Sequence, residues 1–197
     1  MGLVPPVSPE GKGKYAGNPI VIFGGSSSVG QNGNLLLLSR DFAYNLASNP
    51  DSAIQLAKLS GFSPIIVTAS LQHTETLKSL GATHIIDRNA SDFALASEIN
   101  TITQNAPIKY AVDSVSSAET QQFGYDLLAP GGKLAIFLEA IVNITEEKDI
   151  IRTIGFSRHP PNIELLGTLY HDHLERFLKE GDIKVSPCKV LFFSLHC

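Results

Sequence analysis

Short uncharged runs alternate along this chain with longer stretches in which apolar residues recur every three or four positions. The first run is Ile20, Val21, Ile22 and Phe23. It shows no in-and-out alternation, as a strand covered on both faces of a parallel sheet requires. Residues 64–70, 83–87, 109–113 and 133–138 read as the second to fifth strands, and 163–168 as a sixth. Between them, residues 53–61, 72–80, 91–103 and 116–128 read as helices, with a last one over 171–179. Gly61 and Gly81 stop two of these helices, and Ser91 with Asp92 opens a third. Pro130-Gly131-Gly132 is the turn before the fifth strand. Residues 139–162, with charges at Glu146, Glu147, Lys148 and Asp149, read as a surface loop with a short helix. The alternation predicts an α/β protein: a Rossmann-type, doubly wound parallel sheet of about six strands with right-handed crossovers.

The chain after the first strand carries the chemistry. Gly24-Gly-Ser-Ser-Ser-Val-Gly30 follows Phe23 directly. Gly24, Gly25 and Gly30 let backbone N–H groups approach an anion, and a following helix would point its positive end at the same place. That is the physics of a pyrophosphate cradle. The same glycines would equally serve a tight turn that binds nothing, because the spacing is not a full G-x-G-x-x-G. No G-x-x-x-x-G-K-[ST] occurs, which argues against a P-loop. No tyrosine is followed by Lys at the fourth position, which argues against a short-chain dehydrogenase.

Residues 32–52 interrupt the expected order. The helix over 53–61 suits the position directly after the cradle, yet Gly33, four leucines (Leu35 to Leu38) and Asn49-Pro50-Asp51-Ser52 stand between. Either Asn34 caps a substitute helix through Leu35, Leu38, Phe42 and Leu46 that Pro50 ends, or the segment is an insertion that detaches the helix from the phosphate loop. The second reading is preferred, since the helix after the segment is complete by itself. A translated unspliced segment would produce this pattern. A transcript running directly from Gln31 to Ala53 would support that origin, and one that includes codons 32–52 would sink it.

The tip of the second strand is Thr68, Ala69 and Ser70. An Asp or Glu there would accept from the adenosine 2′-hydroxyl and select NAD. With no carboxylate to repel a 2′-phosphate, NADP(H) is the expected cofactor, and Lys78 or Arg88 could add a positive partner or simply be solvated.

Composition narrows the alternatives. A net charge of −4 gives no basic footprint for nucleic acid. Cys188 and Cys197 are too few for a disulfide framework or a zinc cluster. No apolar run approaches the ~18 residues of a membrane span, and the Pro- and Gly-rich residues 1–18 read as a lead-in with no signal-peptide core. Cytoplasmic is the default expectation, with residues 19–180 as one dinucleotide-binding domain and 181–197 as an irregular tail.

Four stretches in this order resemble the medium-chain dehydrogenase/reductase superfamily, in its zinc-free branch. They are Val21-Ile-Phe-Gly-Gly-Ser-Ser-Ser-Val-Gly-Gln31, Ala53-Ile-Gln-Leu-Ala-Lys-Leu-Ser-Gly-Phe62, Leu77-Lys-Ser-Leu-Gly-Ala-Thr-His-Ile-Ile-Asp87 and Leu128-Ala-Pro-Gly-Gly-Lys133. Within it the chain is most similar to trans-acting enoyl reductases of polyketide pathways. The resemblance implies NADPH as hydride donor and an activated C=C bond, in an enoyl or enone substrate, as acceptor. It places Ser26, Ser27, Ser28 and Val29 against the pyrophosphate, Ala69 and Ser70 near the 2′-phosphate, and Phe137 and Leu138 near the nicotinamide. Arg88 stands where these reductases often carry a tyrosine at the adenosine end. The resemblance names no catalytic residue, since the hard chemistry is the cofactor's. The family's N-terminal GroES-like domain and its return segment are missing from this sequence. A truncated, non-catalytic dinucleotide-binding remnant, or a structural fragment with a disrupted phosphate loop, is therefore the alternative expectation. A homodimer or a companion chain supplying the missing domain is the partner expected of an active form.

Other candidates are weaker. His171-x-His173 offers two metal ligands with nothing to complete a site, so both are expected to be solvated. His84 is expected to pack in the core. Asp113 and Ser114 either line the ligand crevice or cap the fourth strand. Glu139 and the acidic run at 146–149 read as surface charge.

Overall fold

A computed structural model of the chain describes residues 10–25, 50–142, 147–152 and 172–184. Within them, β1 (Ile20–Phe23), β2 (Ile65–Ala69), β3 (His84–Asp87), β4 (Tyr110–Asp113), β5 (Lys133–Ile136) and β6 (Asp149–Arg152) form one sheet. Its order is β3-β2-β1-β4-β5-β6, and every neighbouring pair is parallel. The helices are α1 (Pro50–Leu59), α2 (Thr74–Leu80), α3 (Asp92–Thr103), α4 (Ala118–Leu127) and α5 (Leu174–Glu180).

Both faces of the sheet are covered, which is why its central strands are continuously apolar. Ile20 and Ile22 of β1, with Ile65 and Val67 of β2, pack under α1, α2 and α5. Val21 and Phe23, with Ile66, Ala111, Leu134 and Ile136, pack under α3 and α4. All four residues of β1 are buried. Phe177 of α5 is one of the largest fully buried side chains, so the last helix belongs to the core. Capping follows the sequence signals. Ser91 Oγ accepts from the Ala94 amide, and Ser117 forms a reciprocal capping box with Thr120 at the start of α4.

The readings of residues 139–162, 50–52 and His84 need correction. The sixth strand is Asp149–Arg152, inside the stretch read as a loop, while 163–168 lies outside the described residues. β6 is an edge strand with exposed ends, so it needs only Ile150 and Ile151 to be partly covered. It is fixed by register with β5, by the Asp149 amide donating to Gly132 O at 2.9 Å, and by Lys133 Nζ at 3.9 Å from Asp149.

Pro50 begins α1. A proline at the first helical position loses no hydrogen bond, so the last three residues of the expected insertion belong to the sheet-covering helix. The rest of 32–49 lies outside the described residues.

Where it is described, the lead-in is hydrogen-bonded to the end of α1. Gly13 N–H donates to Leu59 O at 3.1 Å and Tyr15 N–H to Ser60 O at 2.9 Å. Tyr15 is buried, stacked on Phe62 at 4.8 Å, with Tyr110 edge-on to both. At the other end, Lys184 exchanges two backbone hydrogen bonds with the Gln55 side-chain amide, and Ile183 is buried, so residues 181–184 are docked.

His84 is exposed, not core. It opens β3, an edge strand, and its Nδ1 lies 3.0 Å from Thr83 Oγ1. His173 is half-buried beside Phe177, with ring centroids 6.1 Å apart. His171, Cys188 and Cys197 lie outside the described residues.

Candidate functional site

The chain lays down β1, β2 and β3 outward in one direction, then returns to place β4 on the other side of β1. The strand order reverses between β1 and β4. In open parallel sheets, the crevice at that reversal, at the carboxyl ends of the strands, is where ligands bind. Four turns meet there.

The turn after β1 is wedged tightly. Gly24 has φ +77°, and a Cβ built on it would lie 2.5 Å from Val115 Cγ2. Its N–H donates to Thr68 O at 3.1 Å and to Thr68 Oγ1 at 3.2 Å, and the Gly25 N–H donates to Thr68 O at 2.9 Å. These two amides therefore tie the turn to the tip of β2. Ser26, Ser27, Ser28, Val29 and Gly30 lie outside the described residues.

At the tip of β2, Ala69 is fully buried, and its carbonyl accepts from the Arg88 N–H at 3.0 Å. Ser70 is half-buried and caps the following helical turn without using its side chain. Arg88 is exposed and tethered beside this tip through its backbone. Asp87, opposite Ala69 in register, is held by the amide and side chain of Asn89 through Oδ1. Lys78 lies in the last turn of α2.

The β4–α4 turn is built around Asp113, which has no exposed surface. Its Oδ1 accepts from the amides of Val115 (2.9 Å) and Ser116 (2.8 Å), and its Oδ2 from Thr120 Oγ1 (2.7 Å). Burial pushes this carboxyl above its ordinary value, and the three hydrogen bonds pull it back only in part. Of the two roles left open for Asp113, capping is the one the structure shows. Ser116 sits at φ +56°, an uncommon conformation for a residue with a side chain. Its Oγ donates to Asp113 O at 2.9 Å and accepts from the Phe137 amide at 2.9 Å. Ser114 differs. It is buried, and its hydroxyl, like that of Ser60 at the end of α1, has no hydrogen-bond partner among the described residues. An orphan hydroxyl beside β1 at the reversal point is the kind of group a bound ligand completes.

After β5, Phe137 is half-buried and Leu138 is 59% exposed. Glu139 pairs with Arg152 at 2.6 Å on the surface. Leu71, Val115, Leu138 and Ile141 are exposed large apolar residues, and each lies in a segment that follows the carboxyl end of a strand, while exposed Phe93 lies within α3. The binding edge is thus rimmed by apolar side chains, as a site for a ligand with flat apolar parts requires. A groove of about 420 Å³ on α3, lined by Phe93, Ala96, Ser97, Asn100, Thr101 and Asn105, lies away from the β1/β4 reversal.

Sequence reasoning missed Ser116 and Gln121, which join the turns after β4 and β5. Nothing in Ser-Ser-Ala-Glu-Thr-Gln-Gln distinguishes Gln121 from Gln122, yet the first is fully buried and the second exposed. Among the described residues, no three His, Cys, Asp or Glu side chains come together as a metal site. No helix among them is long and apolar enough to cross a membrane.

Comparison with known proteins agrees with this geometry. Residues 51–156 match the zinc-binding dehydrogenase family. The chain is 35% identical over 127 residues to the trans-enoyl reductase fsa3 of Fusarium sp. (strain FN080326), covering 62% of this chain and 29% of that protein. It superposes on a quinone oxidoreductase of Pseudomonas syringae pv. Tomato DC3000 with TM-score 0.63 at 21% identity, over 87% of this chain and 48% of the other. It also superposes on mycobacterial Rv1454c, solved in complex with NADPH, with TM-score 0.63 at 16% identity, over 87% and 48%. The chain spans less than half the length of these proteins.

Proposed function

Because the chain belongs to the medium-chain dehydrogenase/reductase superfamily, we propose that it is the dinucleotide-binding part of an oxidoreductase of enoyl- or quinone-reductase type, with NADP(H) as cofactor. The observation that carries this reading is the β1/β4 reversal point, with its orphan Ser114 hydroxyl and apolar rim. These residues fit a dinucleotide. A buried polar group awaits a partner, the turn after β1 is pressed close, and the edge is apolar where flat rings would lie.

The family bears zinc in its name, but the donor set among the described residues does not fit a metal, and no step is routed through one. When bound, NADPH would supply the hydride for an activated C=C bond. The chain's own residues bind and orient. Ser26 to Gly30 would take the pyrophosphate. Ser70 and the Arg88 guanidinium would take a 2′-phosphate; β2 itself carries no carboxylate at its tip, and the Asp87 carboxylate opposite Ala69 is held by Asn89. Phe137 and Leu138 would flank the nicotinamide. Ala69 would act only through its backbone, its side chain being buried.

A second reading is a module that binds dinucleotide without catalysis. It is favoured by one observation: the buried carboxyl at the reversal point, Asp113, is taken up by three internal hydrogen bonds. Calorimetric titration with NADPH and NADH separates the outcomes. Selective NADPH binding is expected, and Arg88→Ala should weaken NADPH about tenfold while leaving NADH unchanged. Equal loss for both nucleotides would remove Arg88 from the 2′-phosphate site. Oxidation of NADPH on adding an enoyl thioester would favour the first reading over the second.

A further inference from the structure

Gln121 lies on α4 with no exposed surface, and its side-chain amide is fully engaged. Nε2 donates to Ser116 O at 3.1 Å and to Glu139 O at 3.0 Å, while Oε1 accepts from the Ile141 amide at 3.1 Å. Together with the bond from the Phe137 amide to Ser116 Oγ, this pins three backbone groups of the β5 loop to the β4–α4 unit. Yet Leu138 and Ile141, in that same pinned loop, expose 59% and 62% of their surface. Folding alone gains nothing by holding apolar side chains rigidly in water; a surface that must meet a ligand does. The two halves of such a sheet divide a dinucleotide between them. The ribose that the β2 tip reads is the adenosine one, so the pinned loop, beyond β5, lies on the nicotinamide side.

We propose that Gln121 is a positioning residue: it fixes residues 137–141 so that Leu138 and Ile141 form a rigid apolar floor for the nicotinamide end. The inference rests on the dinucleotide reading above. Gln121 touches no ligand and acts through the backbone of Glu139 and Ile141. Without it the floor must be ordered during binding, and the cost falls on one half of the ligand only.

The test compares NADPH with 2′,5′-ADP, which carries the adenosine end and no nicotinamide, on the full chain. Gln121→Leu removes all three bonds. Gln121→Glu keeps an acceptor for the Ile141 amide but sets a carboxylate against two carbonyls. Both variants should bind NADPH about tenfold more weakly, with 2′,5′-ADP changed by less than about twofold. Should both variants fail to fold, amide exchange in the wild-type chain still tests the clamp. In the unliganded wild type, the Ile141 amide should exchange with solvent slowly. Rapid exchange there, an unchanged NADPH affinity, or equal weakening of both probes would overturn the positioning role while leaving the dinucleotide reading intact. A wild-type chain that binds neither probe would overturn that reading, and this role with it.

Discussion

Gly25 is the point where the turn after β1 touches the core, and alanine there measures how closely. A Cβ built on Gly25 lies 2.2 Å from Val67 Cγ1 and 3.6 Å from Leu77 Cδ2. Carbon atoms pack at about 3.5–4.0 Å, so the added methyl overlaps Val67 by about 1.3 Å. Val67 has little freedom to yield. It is fully buried, sits in register between Ile22 and Ile85, and is β-branched, with few rotamers open to it. Overpacking of this kind costs about 1–3 kcal/mol. Val67→Ala removes the obstructing methyl and by itself should cost about 2 kcal/mol. The double variant should therefore be more stable than the sum of the two costs allows, by about 1–2 kcal/mol. The assay is urea unfolding followed by far-UV circular dichroism, since the chain has no tryptophan. The midpoint should move with little change in slope. Costs that add to within about 0.5 kcal/mol would refute the close approach. No nucleotide is present in this experiment, so it separates the glycine's packing role from any role in ligand binding.

Other outcomes follow from the same geometry. Ser117→Ala removes one half of the capping box on α4 and should lower stability by about 1 kcal/mol, read from the same urea curves. Asp113→Asn tests the buried carboxyl. Its raised value means that the native state takes up a proton more readily than the unfolded chain, so its contribution is complete below the unfolded value and is lost as pH rises through the folded one. Wild type should thus lose stability relative to Asp113→Asn as pH climbs from about 4 toward neutrality. A difference of the opposite sign would mean that the three hydrogen bonds outweigh burial. Gly61→Ala should destabilise by more than about 1 kcal/mol, because its φ is +87° and the new Cβ would lie 2.8 Å from Gly13 Cα; thermal unfolding of the variant checks this.

The sequence by itself determined the layered fold. Five strands and the helices between them were legible because a strand buried on both faces must be apolar at every position, as Ile20 to Phe23 are. It also marked the turn after β1, since only glycine tolerates both the left-handed backbone of Gly24 and its contact with Val115. Only the tertiary structure decided the rest. β6 was hidden because its charged ends read as loop, and only the fold brings Lys133 to Asp149 and Glu139 to Arg152 at the exposed ends of the strand. Pro50 reads as a terminator in isolation and as a first helical residue once α1 is seen to start there. The amides of Gly24 and Gly25 were free to bind an anion on paper, and in the fold they donate to Thr68, far away in sequence. Gln121 carried no local signal at all: a glutamine becomes a clamp only when packing removes it from water and brings the distant Glu139 carbonyl and Ile141 amide within its reach, beside the nearby Ser116 carbonyl. Local pattern fixes which surfaces must be hidden. Which polar groups meet across the sheet edge depends on contacts far apart in the chain, and these exist only after folding.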